Sequence, residues 1–212
     1  MKTLMLQLFM AVFILFLSGP ATPVSAAELF PLKVGTAWQY AAHDDRNSWV
    51  MTMLVSGTAS IQGAPGPYFV IERLDVTGTP DAQRYQQANL IRAARGSVYF
   101  FGGTDIRTGS KVEYLFFKEG ITGTEWSYVM LDGTRRYLKI VTRPVQVRVP
   151  AGTFTGCIHY MDSLNGTFVV GKDVIGQTWI CPGVGAVKMI EYPRTDNPRA
   201  ARTFELKSYS TP

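Results

Sequence analysis

Two cysteines, Cys157 and Cys181, and two histidines, His43 and His159, are the chain's whole supply of thiols and imidazoles. Two histidines cannot supply a three-histidine zinc site, and the sequence contains no His-Glu-x-x-His. The one local cluster with metal-compatible side chains is His43-Asp44-Asp45. Arg46 and Asn47 follow it directly, and that composition reads as a polar turn at a strand end. No Gly-x-Ser-x-Gly elbow is present, no Cys-x-x-Cys, and no phosphate-binding glycine loop leading into a helix. The 16 acidic residues suffice for a glycosidase pair, but nothing in their spacing marks two at the separation that chemistry needs. A dispersed Ser-His-Asp set built on His159 is recognisable only by geometry. The residues point to no catalytic group, no metal site and no cofactor.

What the cysteines do depends on where the protein goes. Lys2 is the only charge in the first 26 residues, Leu4 to Leu17 is an almost unbroken apolar run, and Val24-Ser25-Ala26 is a small-residue cleavage site. This is the pattern of a secretory signal peptide, cleaved after Ala26 or Ala27, and the run is shorter than the roughly 20 residues of a spanning helix. No cysteine near that site could carry a lipid. Residues 27–212 then form a single exported domain, in the periplasm or outside the cell, where disulfides persist. Two readings of the cysteines stand: a Cys157–Cys181 bond, contributing about 3 kcal/mol by restricting the unfolded chain, or two buried thiols acting as small apolar residues. In the first, Leu164 to Gly176 protrudes with its own Asn165-Gly166 turn and the cysteines are cross-strand partners.

The elements that would position these groups are strands. Period-two segments recur between explicit turns such as Gly63-Ala64-Pro65-Gly66-Pro67, Gly78-Thr79-Pro80-Asp81, Gly102-Gly103-Thr104-Asp105 and Asp132-Gly133. Thirteen segments qualify, with Arg136 to Thr142 and Gln146 to Val149 counted separately across Pro144. Connections this short favour antiparallel neighbours. The expected fold is all-β: a large curved antiparallel sheet, or an open or partly closed barrel, of about a dozen strands with little helix. Arg194 to Arg202 is the one segment that reads as loose.

At 212 residues, 46% hydrophobic and 17% charged, the chain can bury a sizeable core unaided. Its basic excess is modest and scattered. Pairs such as Arg135-Arg136 read as solvated surface, and no basic helix or basic-aromatic repeat suggests nucleic acid. Trp49, Met51, Met53 and Val55 share one strand face, and Val145, Val147 and Val149 lie opposite Gln146 and Arg148. Val98-Tyr99-Phe100-Phe101 and Leu115-Phe116-Phe117 are apolar on both faces, as expected where a sheet is covered on both sides. These aromatics either fill a core or line an apolar cavity that holds a ligand.

Four segments carry a resemblance. Phe30-Pro31-Leu32-Lys33-Val34-Gly35-Thr36-Ala37-Trp38-Gln39-Tyr40, Val149-Pro150-Ala151-Gly152-Thr153-Phe154-Thr155-Gly156-Cys157, Pro182-Gly183-Val184-Gly185-Ala186-Val187-Lys188 and Phe204-Glu205-Leu206-Lys207-Ser208-Tyr209 resemble motifs of a group of uncharacterised secreted bacterial β-proteins, the TapB-like group. More distantly, the chain is similar to the open-barrel fold of periplasmic lipoprotein carriers, whose curved sheet holds an acyl chain. The motifs are structural: Gly152, Gly183 and Gly185 serve tight reversals, Phe154 follows the first of them, and Trp38 and Tyr40 are core anchors. By analogy, the resemblance implies an exported, non-catalytic envelope protein, not integral to the membrane, that binds a lipid or other apolar ligand or an envelope component. A structural or assembly protein acting through an envelope protein partner is the alternative, and an unrecognised hydrolase a further one.

Overall fold

The computed structural model describes residues 29–77, 85–106, 108–192 and 201–212. The expected signal segment, the Gly78 to Asp81 turn and most of the Arg194 to Arg202 stretch lie outside these residues. The described chain is all-β, with helix essentially absent. Its strands are β1 (Ala37–His43), β2 (Ser48–Ser60), β3 (Pro67–Thr77), β4 (Tyr85–Ala94), β5 (Ser97–Thr104), β6 (Lys111–Lys118), β7 (Glu125–Val129), β8 (Arg135–Val149), β9 (Gly152–Ser163), β10 (Val174–Cys181), β11 (Gly185–Glu191) and β12 (Arg202–Ser210). Twelve strands replace the expected thirteen because β8 runs straight through Pro144. The β8–β9 register shifts repeatedly between Ile140 and Val147, so the proline sits in an irregular stretch where its missing N–H disrupts no regular ladder.

All twelve strands belong to one antiparallel sheet, ordered β6-β5-β4-β3-β2-β1-β12-β11-β10-β9-β8-β7. Sequence neighbours are ladder neighbours throughout, except β6 and β7. β1 pairs with β12, joining the two ends of the chain, while β6 and β7 are the two edges. Those edges meet, so the sheet closes into a barrel with a single seam in the middle of the sequence.

Alternation explains which side is inside. Trp38, Tyr40 and Ala42 of β1 are buried, and so are their ladder partners Met51 on β2 and Leu206 and Phe204 on β12. The expected face of Trp49, Met51, Met53 and Val55 points the same way, into the core, and Val147 and Val149 do so from β8. Each large side chain transferred from water in this manner contributes about 1.5–3 kcal/mol.

In an antiparallel meander the connections alternate between ends. Those after β1, β3, β5, β7, β9 and β11 lie at one end, called upper here. Those after β2, β4, β6, β8 and β10 lie at the lower end with both described chain ends. At the lower end Leu29 is fully buried, Phe30 packs on Phe117 with centroids 6.1 Å apart, and Ala151 N donates to Leu206 O at 2.9 Å. The barrel is plugged there by its own N-terminal segment and the β8–β9 and β10–β11 turns.

Cys157 and Cys181 are joined by a disulfide between β9 and β10, beside the Ile158–Ile180 ladder pair. Residues 164–173 protrude between these strands. Within them Asn165 Oδ1 accepts from Thr167 N at 3.0 Å, Asn165 Nδ2 donates to Asp173 Oδ1 at 2.6 Å, and Gly166 takes a φ of 82°. The His43-Asp44-Asp45 segment is a polar turn: Asp44 Oδ1 accepts from Arg46 N at 2.9 Å and Asn47 N at 2.7 Å. Those backbone donors, Arg46 first, hold the Asp44 carboxyl below its usual range.

Candidate ligand-binding seam

The apolar runs on β5 and β6 owe their lack of alternation to bulges. The β5–β6 register shifts between Val98 and Tyr99, opposite an extra residue, Phe116. A bulge puts two residues against one, and here Phe116 and Phe117 both pack on Tyr160 of β9, each with centroids 6.0 Å away. The core accounts for that half of the aromatics. The other half is covered by polar groups of the sheet's own outer face. Phe69 and Ile71 point inward, so Tyr68 between them and β2 points outward, yet it is fully buried. It lies against Phe101 at 5.6 Å and donates from Oη to Glu113 Oε1 at 2.7 Å. Arg92 grips Glu113 bidentately, at 2.9 and 2.7 Å, with its guanidinium 4.6 Å over the Tyr99 ring.

Side chains, not a ladder, hold β6 against β7. Tyr114 and Tyr128 stack at 5.3 Å with planes 16° apart, and Phe117 meets Trp126 edge-on at 6.2 Å. Trp126 Nε1 donates to Leu115 O at 3.0 Å, and Leu131 N donates to Tyr114 Oη at 2.9 Å. The Tyr114 ring can lie there because residue 102 is glycine: a Cβ on Gly102 would fall 2.3 Å from the ring. Gly102→Ala is expected to push the ring off Tyr128, losing a stack and a hydrogen bond together worth about 1–2 kcal/mol. Thermal unfolding with near-ultraviolet circular dichroism reads this; an unshifted midpoint with an unchanged tyrosine signal contradicts it.

Behind the tyrosine pair lies a polar patch on the inner face. Asp162 is the ladder partner of core residue Leu138, and Arg136 clamps it, Nε to Oδ1 at 3.0 Å and Nη2 to Oδ2. Burial pushes the Asp162 carboxyl above its usual range, with Arg136 opposing. Burial and the nearby Asp162 charge push Tyr128 up to about 12. Next inward is Tyr160, whose buried hydroxyl lies near Thr178 and makes no hydrogen bond; burial raises its pKa. A second ion pair crosses the barrel. Arg73 on β3 meets Glu191 on β11 at 3.2 Å, and Arg73 sits 5.0 Å above the buried Phe204 ring. Four strand spacings of about 4.8 Å separate β3 from β11 along the sheet, so the pair spans the interior.

Clefts open at both ends of the seam. The upper one, about 620 Å³, is lined by Ile106, Val112, Val129, Met130 and Leu131, with Thr104, Asp105, Asp132 and Gly133 at its edges. The lower one, about 730 Å³, is formed by Arg95, Gly96, Ser97, Lys118, Glu119, Gly120, Ile121, Thr122 and Arg143. Arg143 donates there to Gly120 O.

The residues singled out from sequence gather elsewhere. Trp38 Nε1 donates to Val184 O at 2.5 Å, and Tyr40 Oη to Ala186 O at 2.7 Å. Gly185 takes a φ of 92°, in the left-handed region that favours glycine, and sits beside Trp38, whose Nε1 would be in ordinary contact, 3.6 Å, with an added Cβ. Gly183 (φ 73°) turns β10 into β11, and Gly152 (φ 136°) opens β9. Phe154 is half-buried against Tyr209, 6.3 Å away. The motif residues thus build the plugged lower end, and none touches the upper cleft. Arg136, expected on the solvated surface with Arg135, instead faces inward. A signal for this existed, since it is in phase with Leu138 and Ile140. His159 stacks on Trp179 at 4.2 Å and pairs with Gln177 Oε1 at 3.0 Å, with neither a serine nor a carboxylate as its partner in those contacts. Among the described residues, no three His, Cys, Asp or Glu side chains converge as a metal site would require.

No family model and no curated protein matches the chain. Two solved structures resemble it. One, a "putative lipoprotein" from Parabacteroides distasonis, is 16% identical with a TM-score of 0.46, over 86% of this chain and 98% of that one. The other, a "putative exported protein with YmcC-like fold" from Bacteroides fragilis, is 13% identical with a TM-score of 0.50, over 84% of this chain and 97% of that one. At such identities the likeness to the second is one of fold alone.

Proposed function

We propose that the protein is an exported, non-catalytic envelope protein that takes up an apolar ligand at the upper end of its seam. The observation that carries this is the aliphatic cleft placed where the sheet is held by side chains alone. Ligand sites are concave and mostly apolar with a few polar groups to orient the ligand, and Tyr114, Tyr128 and the Arg136–Asp162 pair stand behind this one. The signal-like segment, the disulfide and the fold shared with a protein described as exported support export. A non-catalytic role is supported by the pairing of the inner charges: Asp162 and Glu191 each hold an arginine, leaving neither as a ready acid or base. The four motif segments support kinship with secreted β-proteins, and those segments serve the closure of the barrel.

Native mass spectrometry of protein from its own exported fraction, without reductant, tests the reading. The expected result is a chain beginning near Ala27 with a releasable lipid-sized adduct, which Val112→Arg and Met130→Arg variants lack. Protein that carries no adduct, or folded variants that keep it, would sink the ligand assignment.

A further inference from the structure

The two ends of the barrel differ in charge. Asp44, Asp45, Asp105, Asp132 and Asp173 stand on upper connections. The lower connections, residues 61–66, 95–96, 119–124, 150–151 and 182–184, hold a single acidic side chain, Glu119. Cations gather at the lower cleft: Arg95 lines it from the β4–β5 turn, Lys118 from the end of β6 and Arg143 from β8. Arg95 and Lys118 are exposed, and neither side chain is held by an ion pair or hydrogen bond among the described residues. Arg143 is half-buried and donates across the seam to Gly120 O.

Glu119 does not neutralise this group. Its Oε1 is buried without a partner, and its Oε2 lies 3.1 Å from where a Cβ on Gly96 would be. Glu125, next along the chain, is taken by Lys139 at 2.8 Å. Three cations against one carboxylate leave the cleft an excess of positive charge. Backbone donors add to it. Gly120, Ile121 and Thr122 line the cleft, and their N–H groups have no acceptor among the described residues. The flanking Glu119 N and Gly123 N are bonded, to Gly96 O at 2.9 Å and Ile140 O at 2.8 Å. Successive free N–H groups in a turn attract anions. The turn that carries Arg95 is strained as well. Arg95 and Gly96 take φ values of 49° and 71°, a pair that a two-residue hairpin usually fills with Asn-Gly or Gly-Gly. Arg95 is the one non-glycine residue with positive φ among the described residues, and strain of this kind is kept where the side chain has a use.

We infer that the lower cleft binds a phosphate group, Arg95, Lys118 and Arg143 meeting its oxygens and the 120–122 amides donating to it. Cations on three separate elements can each meet a different oxygen of a tetrahedral anion, which suits phosphate better than a planar carboxylate. The site lies at the opposite end of the seam from the apolar cleft and does not depend on a ligand there.

Amide NMR of isotope-labelled protein titrated with sodium phosphate, at an ionic strength held constant with sodium chloride, tests it. Saturable shifts are expected at Gly120, Ile121 and Thr122, and sodium chloride alone should leave these amides in place. Arg95→Asn, which keeps a residue suited to positive φ, and Lys118→Gln should each weaken binding at least about fivefold. Arg148→Gln removes an exposed lower-end cation outside the cleft and should bind as wild type does. Circular dichroism confirms that each variant is folded. Absence of saturable shifts, the same shifts with chloride, or an equal loss in Arg148→Gln would overturn the site. Dihexanoyl phosphatidic acid, used as a soluble monomer, separates the sources of the phosphate. Binding about tenfold or more tighter than inorganic phosphate assigns a lipid headgroup, and a smaller difference assigns a free phosphate.

Discussion

Phe117→Ala is expected to lower stability by about 3–5 kcal/mol, the cost of emptying a large aromatic site in a packed core. The residue is fully buried and belongs to three assemblies at once. It packs on Phe30 of the N-terminal plug, on Trp126 across the seam and on Tyr160 of β9. No neighbouring strand on the β7 side offers backbone bonds to compensate. The loss should therefore concentrate at the seam, with amide exchange in β6 and β7 accelerating more than in β1 and β12. Denaturant unfolding followed by tryptophan fluorescence, with hydrogen exchange, measures both effects. A loss below about 1 kcal/mol, or exchange raised evenly over all strands, would show that the seam is not held this way.

Glu113→Ala is expected to cost about 3 kcal/mol, because it leaves a half-buried guanidinium and a buried phenol without their acceptor. Both partners of the ion pair are only 16% exposed. Burial pushes the Glu113 carboxyl up, but the hydrogen bonds from Arg92 and Tyr68 outweigh it and hold it below the ordinary glutamate range. A depressed folded value means that the contribution is present above the unfolded pKa and is lost as pH falls through the folded one. Wild type and Glu113→Gln should thus differ most near neutrality and converge in acid. Tyr68 is pushed up to about 12, by burial and then by Glu113, so its phenol stays protonated while the pair is intact. Equal acid sensitivity of the two proteins would remove Glu113 from the account.

Period two was enough to read the fold class, the strand segments and the inward face of β2, because alternation reports burial directly where a strand is regular. It failed at β5 and β6, where a bulge changes the phase within one segment and turns Phe116 and Phe117 to the same side. It failed again at Pro144, since a proline looks like a terminator unless the irregular pairing around it is known. The cysteine pairing was legible as one of two readings because the expected export favours a disulfide and a protruding Leu164 to Gly176 connection leaves the cysteines as cross-strand partners. The candidate site was not legible. Tyr114, Tyr128, Arg136 and Asp162 come from β6, β7, β8 and β9, and only closure of the barrel brings them together. Motif reading found instead the turns and anchors of the lower end, whose glycines and prolines have local signatures.

The position of the seam has a topological consequence. Apart from the β1–β12 ladder, every ladder joins strands adjacent in sequence, so the barrel is two six-stranded meanders, β1 to β6 and β7 to β12. Residues 119–124 are the sole covalent link between these halves, and no ladder joins β6 to β7 there. Lys33 Nζ donates to Pro212 O at 2.7 Å, so the two ends of the described chain already touch. The molecule is thereby preadapted to circular permutation: joining its ends and opening the 119–124 connection would move the termini to the sheet's true edges while leaving every ladder intact.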